Sequence, residues 1–113
     1  LIIPHGTGIP ADDLAEAKAI QAVLGDATAK IPIWPTKSML SNTGAASGAV
    51  DVIAALCAMR DGKIPAAKNC DRKAAGCSLN IVDQPQEKNI RFALCCSYTY
   101  GGQTAAVILK APD

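Results

Sequence analysis

Short apolar segments alternate along the chain with loops rich in glycine and proline, and this pattern predicts the elements of the first half. An apolar run over residues 1–4 predicts a short buried strand. Apolar positions at roughly helical spacing follow Pro10 and predict a helix that ends at Gly25. Residues 31–34 predict a brief or irregular strand, because one proline lies inside the run and another follows it.

Nearly all residues of the segment 44–60 are small or apolar, so that a helix formed by it would be apolar on every side. Asp51 is its only charged residue before Arg60, so we expect a helix buried on all sides, with Cys57 as a small buried residue inside it. The rest of the pattern predicts polar loops or connections over 36–42, 63–76, 84–89 and 97–103, and strands over 79–82, 90–96 and 105–109.

The resulting order, β-α-β-α-β-β-β, is typical of an α/β fold with a mixed sheet. The last two strands are expected to pair as an antiparallel hairpin. Cys95 and Cys96 are adjacent within a predicted strand, so one thiol should lie on each face of the sheet.

Composition excludes several classes of protein. The chain has 113 residues, half of them hydrophobic, and a net charge of +1. This near-neutral balance argues against a nucleic-acid binder, and no apolar run approaches the ~20 residues that a membrane span needs. Because the chain opens on an apolar strand without Met, we expect a fragment of a longer cytoplasmic protein.

The five cysteines predict neither a disulfide framework nor a metal site. Their number is odd, no C-x-x-C spacing occurs, and the single histidine is distant in sequence. Reduced thiols and no bound metal are therefore expected.

Candidate chemistry lies in three loops at predicted strand ends. The first holds His5, the only histidine; the second holds Lys37, before the helix that carries Asp51. A lysine and an aspartate at the rim of a buried helix are expected to pair, and Glu16 could join them. The third loop spans residues 98–102. Open α/β sheets bind ligands at such strand ends, so the three loops could converge on one site.

Structural roles are equally open for these residues. The charged group of Lys37, Glu16 and Asp51 could be an ion-pair brace, and Asn42 could be a helix N-cap. The aromatic rings of Tyr98 and Tyr100 could belong to the core. The Gly-Gly pair at 101–102 could serve only the hairpin turn.

Four blocks of the sequence resemble the β-ketoacyl-acyl-carrier-protein synthases. Residues 5–25, HGTGIPADDLAEAKAIQAVLG, resemble the block H-G-T-x-T-P-x-x-D-x-x-E-A, and residues 36–51, TKSMLSNTGAASGAVD, resemble T-K-S-x-x-G-H-x-x-G-A-A-G-x-x-E. Residues 60–69, RDGKIPAAKN, are similar to R-x-G-x-I-P-P-T-x-N, and residues 97–109, SYTYGGQTAAVIL, to S-F-G-F-G-G-x-N-x-x-x-x-L. The blocks occur in the family's order and cover nearly the whole chain.

The resemblance implies a thiolase-like fold and places residues 1–113 in the later part of its C-terminal half. The first strand and helix of that half would be absent, as would the N-terminal half that holds the nucleophilic cysteine. It also implies substrates carried on the phosphopantetheine of an acyl carrier protein, no covalently bound cofactor, and a homo- or heterodimer in the parent protein.

The resemblance also implies site roles. His5 matches the first catalytic histidine, which helps to decarboxylate the malonyl group and to stabilise the enolate. Lys37 matches the family lysine and is expected to be catalytic together with His5 and Asn42. It would be held by carboxylates that match Glu16 and Asp51, while Asp13 matches a further acidic position. Thr7 matches a threonine that binds the phosphopantetheine arm. The gate loop matches at Ser97, Gly101 and Gly102, Tyr100 stands at the position of the gating phenylalanine, and Thr99 lies in the same loop where the family has glycine.

Departures from the blocks leave two interpretations of the parent protein open. Asn42 stands where elongating synthases carry a second histidine, and Ile9, Ser41, Thr99 and Thr104 also differ from the pattern. A Cys-His-Asn condensing enzyme would suit the His5/Asn42 pair. A non-catalytic subunit resembling a chain-length factor would suit the changes at both catalytic and pantetheine positions. The isolated chain is expected to be inactive under either interpretation.

Overall fold

The computed structural model describes residues 1–73, Ala75 and residues 77–112. Strand β1 covers Ile2–Ile3, and helix α1 covers Pro10–Leu24. The helix ends as predicted at Gly25, whose φ of 53° favours glycine, and a 3-10 segment continues over Gly25–Ala29. Local signals at both ends of α1 were therefore sufficient to place its bounds.

Helix α2 covers Lys37–Leu40, inside the stretch predicted as a polar loop, so that prediction was wrong. A four-residue helix is too short to show a periodic pattern. After a 3-10 turn over Gly44–Ala46, helix α3 covers Ser47–Asp61 and ends at Gly62.

Helix α3 is buried on one face only. Its buried residues are Ser47, Asp51, Ala55 and Ala58, whereas Ile53 is 60% and Leu56 is 50% exposed. Cys57 is also exposed. The predictions of a helix buried on all sides and of a buried Cys57 were wrong for this chain, because no described segment covers the second apolar face.

Strands β4, Phe92–Tyr98, and β5, Thr104–Lys110, form the predicted antiparallel hairpin. Strand β4 begins and ends two residues later than predicted. Ser97 and Tyr98 thus belong to the strand rather than to the loop that follows it.

Strand β1 lies parallel to β4, which gives the sheet order β1-β4-β5. The predicted strands over 31–34 and 79–82 extend this sheet only as isolated bridges, with Ile33 pairing to Ile2 on one side and to Ile81 on the other. This irregular pairing agrees with the prolines inside and directly after the first of these segments.

A second, two-stranded sheet pairs β2, Lys63–Ile64, with β3, Gln86–Glu87. Both strands lie in stretches predicted as loops, and Ala74 and Gly76 of the first stretch lie outside the described residues. The prediction was wrong because two-residue strands are defined by distant pairing rather than by local pattern.

The main sheet separates two apolar clusters, one against each helix layer. Ile3, Ala93 and Cys95 face α3, and Ile2 and Ile33 face α1. The alternation of Ala93, Leu94 and Cys95 between the two clusters confirms that successive side chains of β4 lie on opposite faces of the sheet. No helix in the described part of the chain is long and apolar enough to cross a membrane.

Candidate active site

A cleft of about 840 Å³ opens at the edge of the sheet where β1 and β4 end. The loop after β1 contributes His5 and Thr7 to its wall, and the loop before α3 contributes Asn42. The end of β4 and the following loop contribute Tyr98 and Tyr100. Residues from all three candidate segments thus line one cleft, although the second segment contributes Asn42 and not Lys37.

Glu16 of α1 is buried and holds the backbone of the His5 loop. Its Oε1 accepts the N–H of His5 at 2.8 Å, and its Oε2 accepts the N–H of Gly6 at 2.9 Å. Two charge-assisted hydrogen bonds from one carboxylate fix this turn strongly. The expectation that Glu16 joins Lys37 was wrong, since no ion pair connects them among the described residues.

Asp13 and Thr7 stabilise the rest of the turn between β1 and α1. The Asp13 carboxylate accepts the N–H of Gly8, with distances of 3.1 and 3.3 Å to its two oxygens. Thr7 Oγ1 accepts the N–H of Ile9 at 3.4 Å. Thr7 lines the cleft, whereas Ile9, which is 40% exposed, lies outside its described lining.

Lys37 and Asp51 form the buried ion pair that the sequence predicted. Lys37 Nζ lies 2.6 Å from Asp51 Oδ2, and the two side chains are 4% and 2% exposed. Thr36 Oγ1 donates a hydrogen bond to the other carboxylate oxygen of Asp51. The pair fastens α2 to α3, and Lys37 is not among the described residues that line the cleft.

The side-chain amide of Asn42 is held in one orientation. Its Oδ1 accepts the N–H of Gly44 at 3.0 Å and the hydroxyl of Ser47 at 2.8 Å. Ser47 Oγ in turn accepts the N–H of Thr43 at 2.9 Å, so its own hydrogen is free to donate to Asn42. Because a backbone N–H can only donate, the network assigns the carbonyl oxygen of Asn42 to this position.

Asn42 therefore provides a capping bond to the 3-10 turn that begins at Gly44, although Thr43 is the residue directly before that turn. Asn42 lines the cleft, and its hydrogen bonds among the described residues use Oδ1 and not the amide nitrogen. Ser47 could not be identified from the sequence, because a serine at a helix start is common and nothing in the pattern indicates a side-chain partner.

The aromatic ring of Tyr98 packs against the imidazole of His5. The ring centroids are 5.5 Å apart at an interplanar angle of 72°, which is an edge-to-face contact. Burial, the charge of Glu16 and contact with Cys96 raise the pKa of the Tyr98 phenol to about 12. Tyr98 is half-buried, so it is neither a fully buried core aromatic nor an exposed residue.

The loop between β4 and β5 forms the exposed rim of the cleft. Gly102, with φ 79°, donates its N–H to the carbonyl of Thr99 at 3.0 Å, and Thr99 donates its N–H to the carbonyl of Gln103. Thr99 Oγ1 also accepts the N–H of Gln103. Tyr100 is 96% exposed, which excludes the alternative that it is a core aromatic.

The cysteines offer no activated thiol to this cleft. Burial, together with the nearby charge of Asp51, raises the pKa of Cys95 to about 11. Burial also raises the pKa of Cys96, with Glu16 adding to the shift, and that of Cys70. A protonated thiol is a weak nucleophile, and the described lining of the cleft contains no cysteine.

Comparisons with known proteins agree with the resemblance seen in the sequence. Residues 1–71 match the family described as "Beta-ketoacyl synthase, C-terminal domain". The 3-oxoacyl-[acyl-carrier-protein] synthase 2 of Vibrio cholerae is 33% identical over an alignment of 109 residues that covers 94% of this chain and 26% of that protein. The chain thus spans about a quarter of the length of this relative.

Two solved structures have nearly the same fold. The ishigamide ketosynthase/chain length factor is 33% identical and superposes with a TM-score of 0.92, covering 99% of this chain and 28% of its own. A type II polyketide ketosynthase, in complex with its acyl-carrier protein and bound to the hexaketide, is 27% identical with a TM-score of 0.93. This likeness covers 98% of this chain and 28% of that one. The predicted α/β, thiolase-like fold is confirmed, and the chain belongs to the β-ketoacyl synthase family as part of its C-terminal domain.

Proposed function

We propose that the protein containing this chain is a β-ketoacyl-acyl-carrier-protein synthase with a Cys-His-Asn site. It would condense an acyl thioester with a malonyl thioester, in fatty-acid or polyketide synthesis. The cysteine would come from the N-terminal half of the parent protein or from a partner chain. This chain would supply His5 and Asn42.

The orientation of Asn42 carries the proposal. Its Oδ1 already accepts two hydrogen bonds, from Gly44 and Ser47, so its amide nitrogen is the polar group left for a substrate. His5 lines the same cleft. Two fixed donors in one cleft suit the stabilisation of an oxygen on which negative charge develops.

The chemistry follows from these donors. The bond between the malonyl carboxylate and the α-carbon breaks, CO₂ leaves, and the electron pair forms an enolate whose oxygen accepts hydrogen bonds from His5 and Asn42. The α-carbon then attacks the acyl thioester on the cysteine, and the cysteine thiolate leaves. Lys37 would act as a positioning residue, because its charge is paired with Asp51 away from the cleft wall.

The substrate arm would enter past the rim of the cleft. Thr7 and Tyr100 line it on opposite loops, and the exposed ring of Tyr100 could move as a gate over the Gly101-Gly102 turn. One of the solved relatives is described in complex with its acyl-carrier protein. We therefore propose that the substrates of this protein are carried on the phosphopantetheine of an acyl carrier protein.

The test is an assay of malonyl decarboxylation and of condensation with the natural protein that contains this chain and its acyl carrier protein. His5→Ala and Asn42→Ala should each lower the condensation rate by about 10²–10³-fold, the effect of losing one oxyanion donor. Asn42→His should be tolerated better than His5→Ala, because an imidazole can also donate. Asn89→Ala, an exposed asparagine outside the cleft, is the matched control.

Equal decarboxylation by the unmodified protein and His5→Ala would remove the catalytic role of His5. If the unmodified protein were inactive alone and only changed the products of an active partner synthase, the Cys-His-Asn proposal would be wrong. The chain-length-factor-like role would then hold.

A further inference from the structure

We propose that Tyr98 is a positioning residue that fixes the imidazole of His5 in the cleft. The inference rests on the proposed function, since it concerns how the catalytic histidine of that reaction is oriented. It goes beyond that function because it assigns the task to a residue outside the donor pair.

The first observation is that one ring nitrogen of His5 has no hydrogen bond among the described residues. Histidines that act as donors or bases are commonly oriented by a hydrogen bond at the second ring nitrogen. Here Nδ1 of His5 is buried and has no hydrogen-bond partner among the described residues. Another contact must therefore set the rotation of the ring.

The second observation is the ring contact itself. The ring of Tyr98 meets the imidazole edge to face, with centroids 5.5 Å apart and planes at 72°. This arrangement is directional, because the positive edge of one aromatic ring favours the negative face of the other. It restricts the rotation of His5 about χ2, which the backbone contacts of the loop cannot do.

The third observation is that the same carboxylate lies beside both partners. Glu16 accepts hydrogen bonds from the backbone N–H groups of His5 and Gly6, which fixes the position of the His5 backbone. The Tyr98 phenol lies close enough to Glu16 and Cys96 for both to perturb its ionisation. Glu16 thus lies next to both residues, and the ring of Tyr98 is the group that contacts the imidazole.

The experiment compares Tyr98→Leu, which removes the ring, with Tyr98→Phe, which keeps it, in the natural protein that contains this chain. Tyr98→Leu should lower kcat by about tenfold to a hundredfold, the effect of a misplaced catalytic group, with KM for the malonyl substrate nearly unchanged. Tyr98→Phe should retain most of the kcat of the unmodified protein. Phe92→Leu, at the opposite end of β4, is the matched control.

An NMR measurement tests the contact without reference to activity. With histidine labelled isotopically and the His5 signal identified by its loss in His5→Gln, the imidazole protons should show nuclear Overhauser effects to the Tyr98 ring. They should also carry a ring-current shift that Tyr98→Leu abolishes and Tyr98→Phe retains.

Absence of these Overhauser effects in the unmodified protein would overturn the proposal even if Tyr98→Leu failed to fold. Equal losses of kcat in the Leu and Phe variants would also overturn it, because the ring would then not be the restraining group. An inactive unmodified protein with the expected NMR contact would refute the proposed function while leaving the positioning of His5 intact.

Discussion

Lys37 Nζ lies 2.6 Å from Asp51 Oδ2 in a site from which water is almost excluded. The two residues come from α2 and α3, so the pair joins the segment that leads to Asn42 to the long helix beneath it. The segment that leads to Asn42 therefore keeps its position only while both charges of the buried pair are present.

Lys37→Met should therefore be costly. It leaves the Asp51 charge buried without its cation, and we expect the free energy of unfolding to fall by about 3–5 kcal/mol. The double variant Lys37→Met/Asp51→Leu should recover most of this loss, because no charge remains. Urea unfolding of the natural protein measures both, with the exposed Lys63→Met as control. A loss in Lys37→Met no larger than that in Lys63→Met would contradict the expectation.

Ser47→Ala should impair the reaction without removing a group that contacts the substrate. The variant deletes one of the two hydrogen bonds that orient the Asn42 amide. One such bond contributes about 1 kcal/mol, so kcat for condensation should fall about fivefold to tenfold. In Ser47→Thr, which keeps the hydroxyl, kcat should decrease less than in Ser47→Ala. The exposed Ser78→Ala serves as control, and an unchanged rate in Ser47→Ala would show that the amide orientation does not matter.

Ser41→Gly should stabilise the protein. Ser41 has φ 64° and ψ 167°, a backbone region that is populated almost only by glycine. Relief of this strain should raise the free energy of unfolding by about 1 kcal/mol, after the greater freedom of glycine in the unfolded chain is counted. Asn69→Gly, at the other described non-glycine position with positive φ, should gain less because asparagine tolerates this conformation. The idea fails if Ser41→Gly unfolds at the same urea concentration as the unmodified protein.

Tyr98 should make stability fall at alkaline pH. Its pKa is raised to about 12 in the folded chain, mainly by burial, against about 10 for an unperturbed tyrosine. Between these values the unfolded chain loses the phenol proton first, so the free energy of unfolding decreases as pH rises. Tyr98→Phe should have a flatter dependence from about pH 10 upward. The free energy of unfolding is measured by urea unfolding at several pH values, and equal slopes for the two proteins would contradict a raised pKa of Tyr98.

Local signals in the sequence predicted well the elements that they define. Pro10 and Gly25 mark the ends of α1 in the structure as they do in the sequence. The hairpin of β4 and β5 was likewise predictable, because its strands are adjacent and apolar. The two-stranded sheet of β2 and β3 could not be predicted from the sequence, since each strand is two residues long and their pairing connects distant segments.

Some parts of the candidate site could likewise be predicted from the sequence, and others could not. His5 and the Lys37–Asp51 pair could be inferred as candidates from residue type and position, whereas Asn42 became a candidate only through the resemblance of its block to the family. The partner of Glu16 could not, because the His5 backbone and the Lys37 ammonium are both suitable partners for a carboxylate, and only the fold decides between them. Tyr98 was missed as a partner of His5 because its side-chain direction depends on where β4 ends.

The adjacent thiols of Cys95 and Cys96 have a consequence for redox chemistry. They lie on opposite faces of β4, one near Asp51 of α3 and the other near Glu16 of α1. Two sulfurs that point apart cannot close a disulfide without moving the backbone. Disulfide formation and chelation by trivalent arsenicals both need two convergent thiols, so neither should occur between Cys95 and Cys96, although the sequence Cys-Cys suggests a vicinal pair.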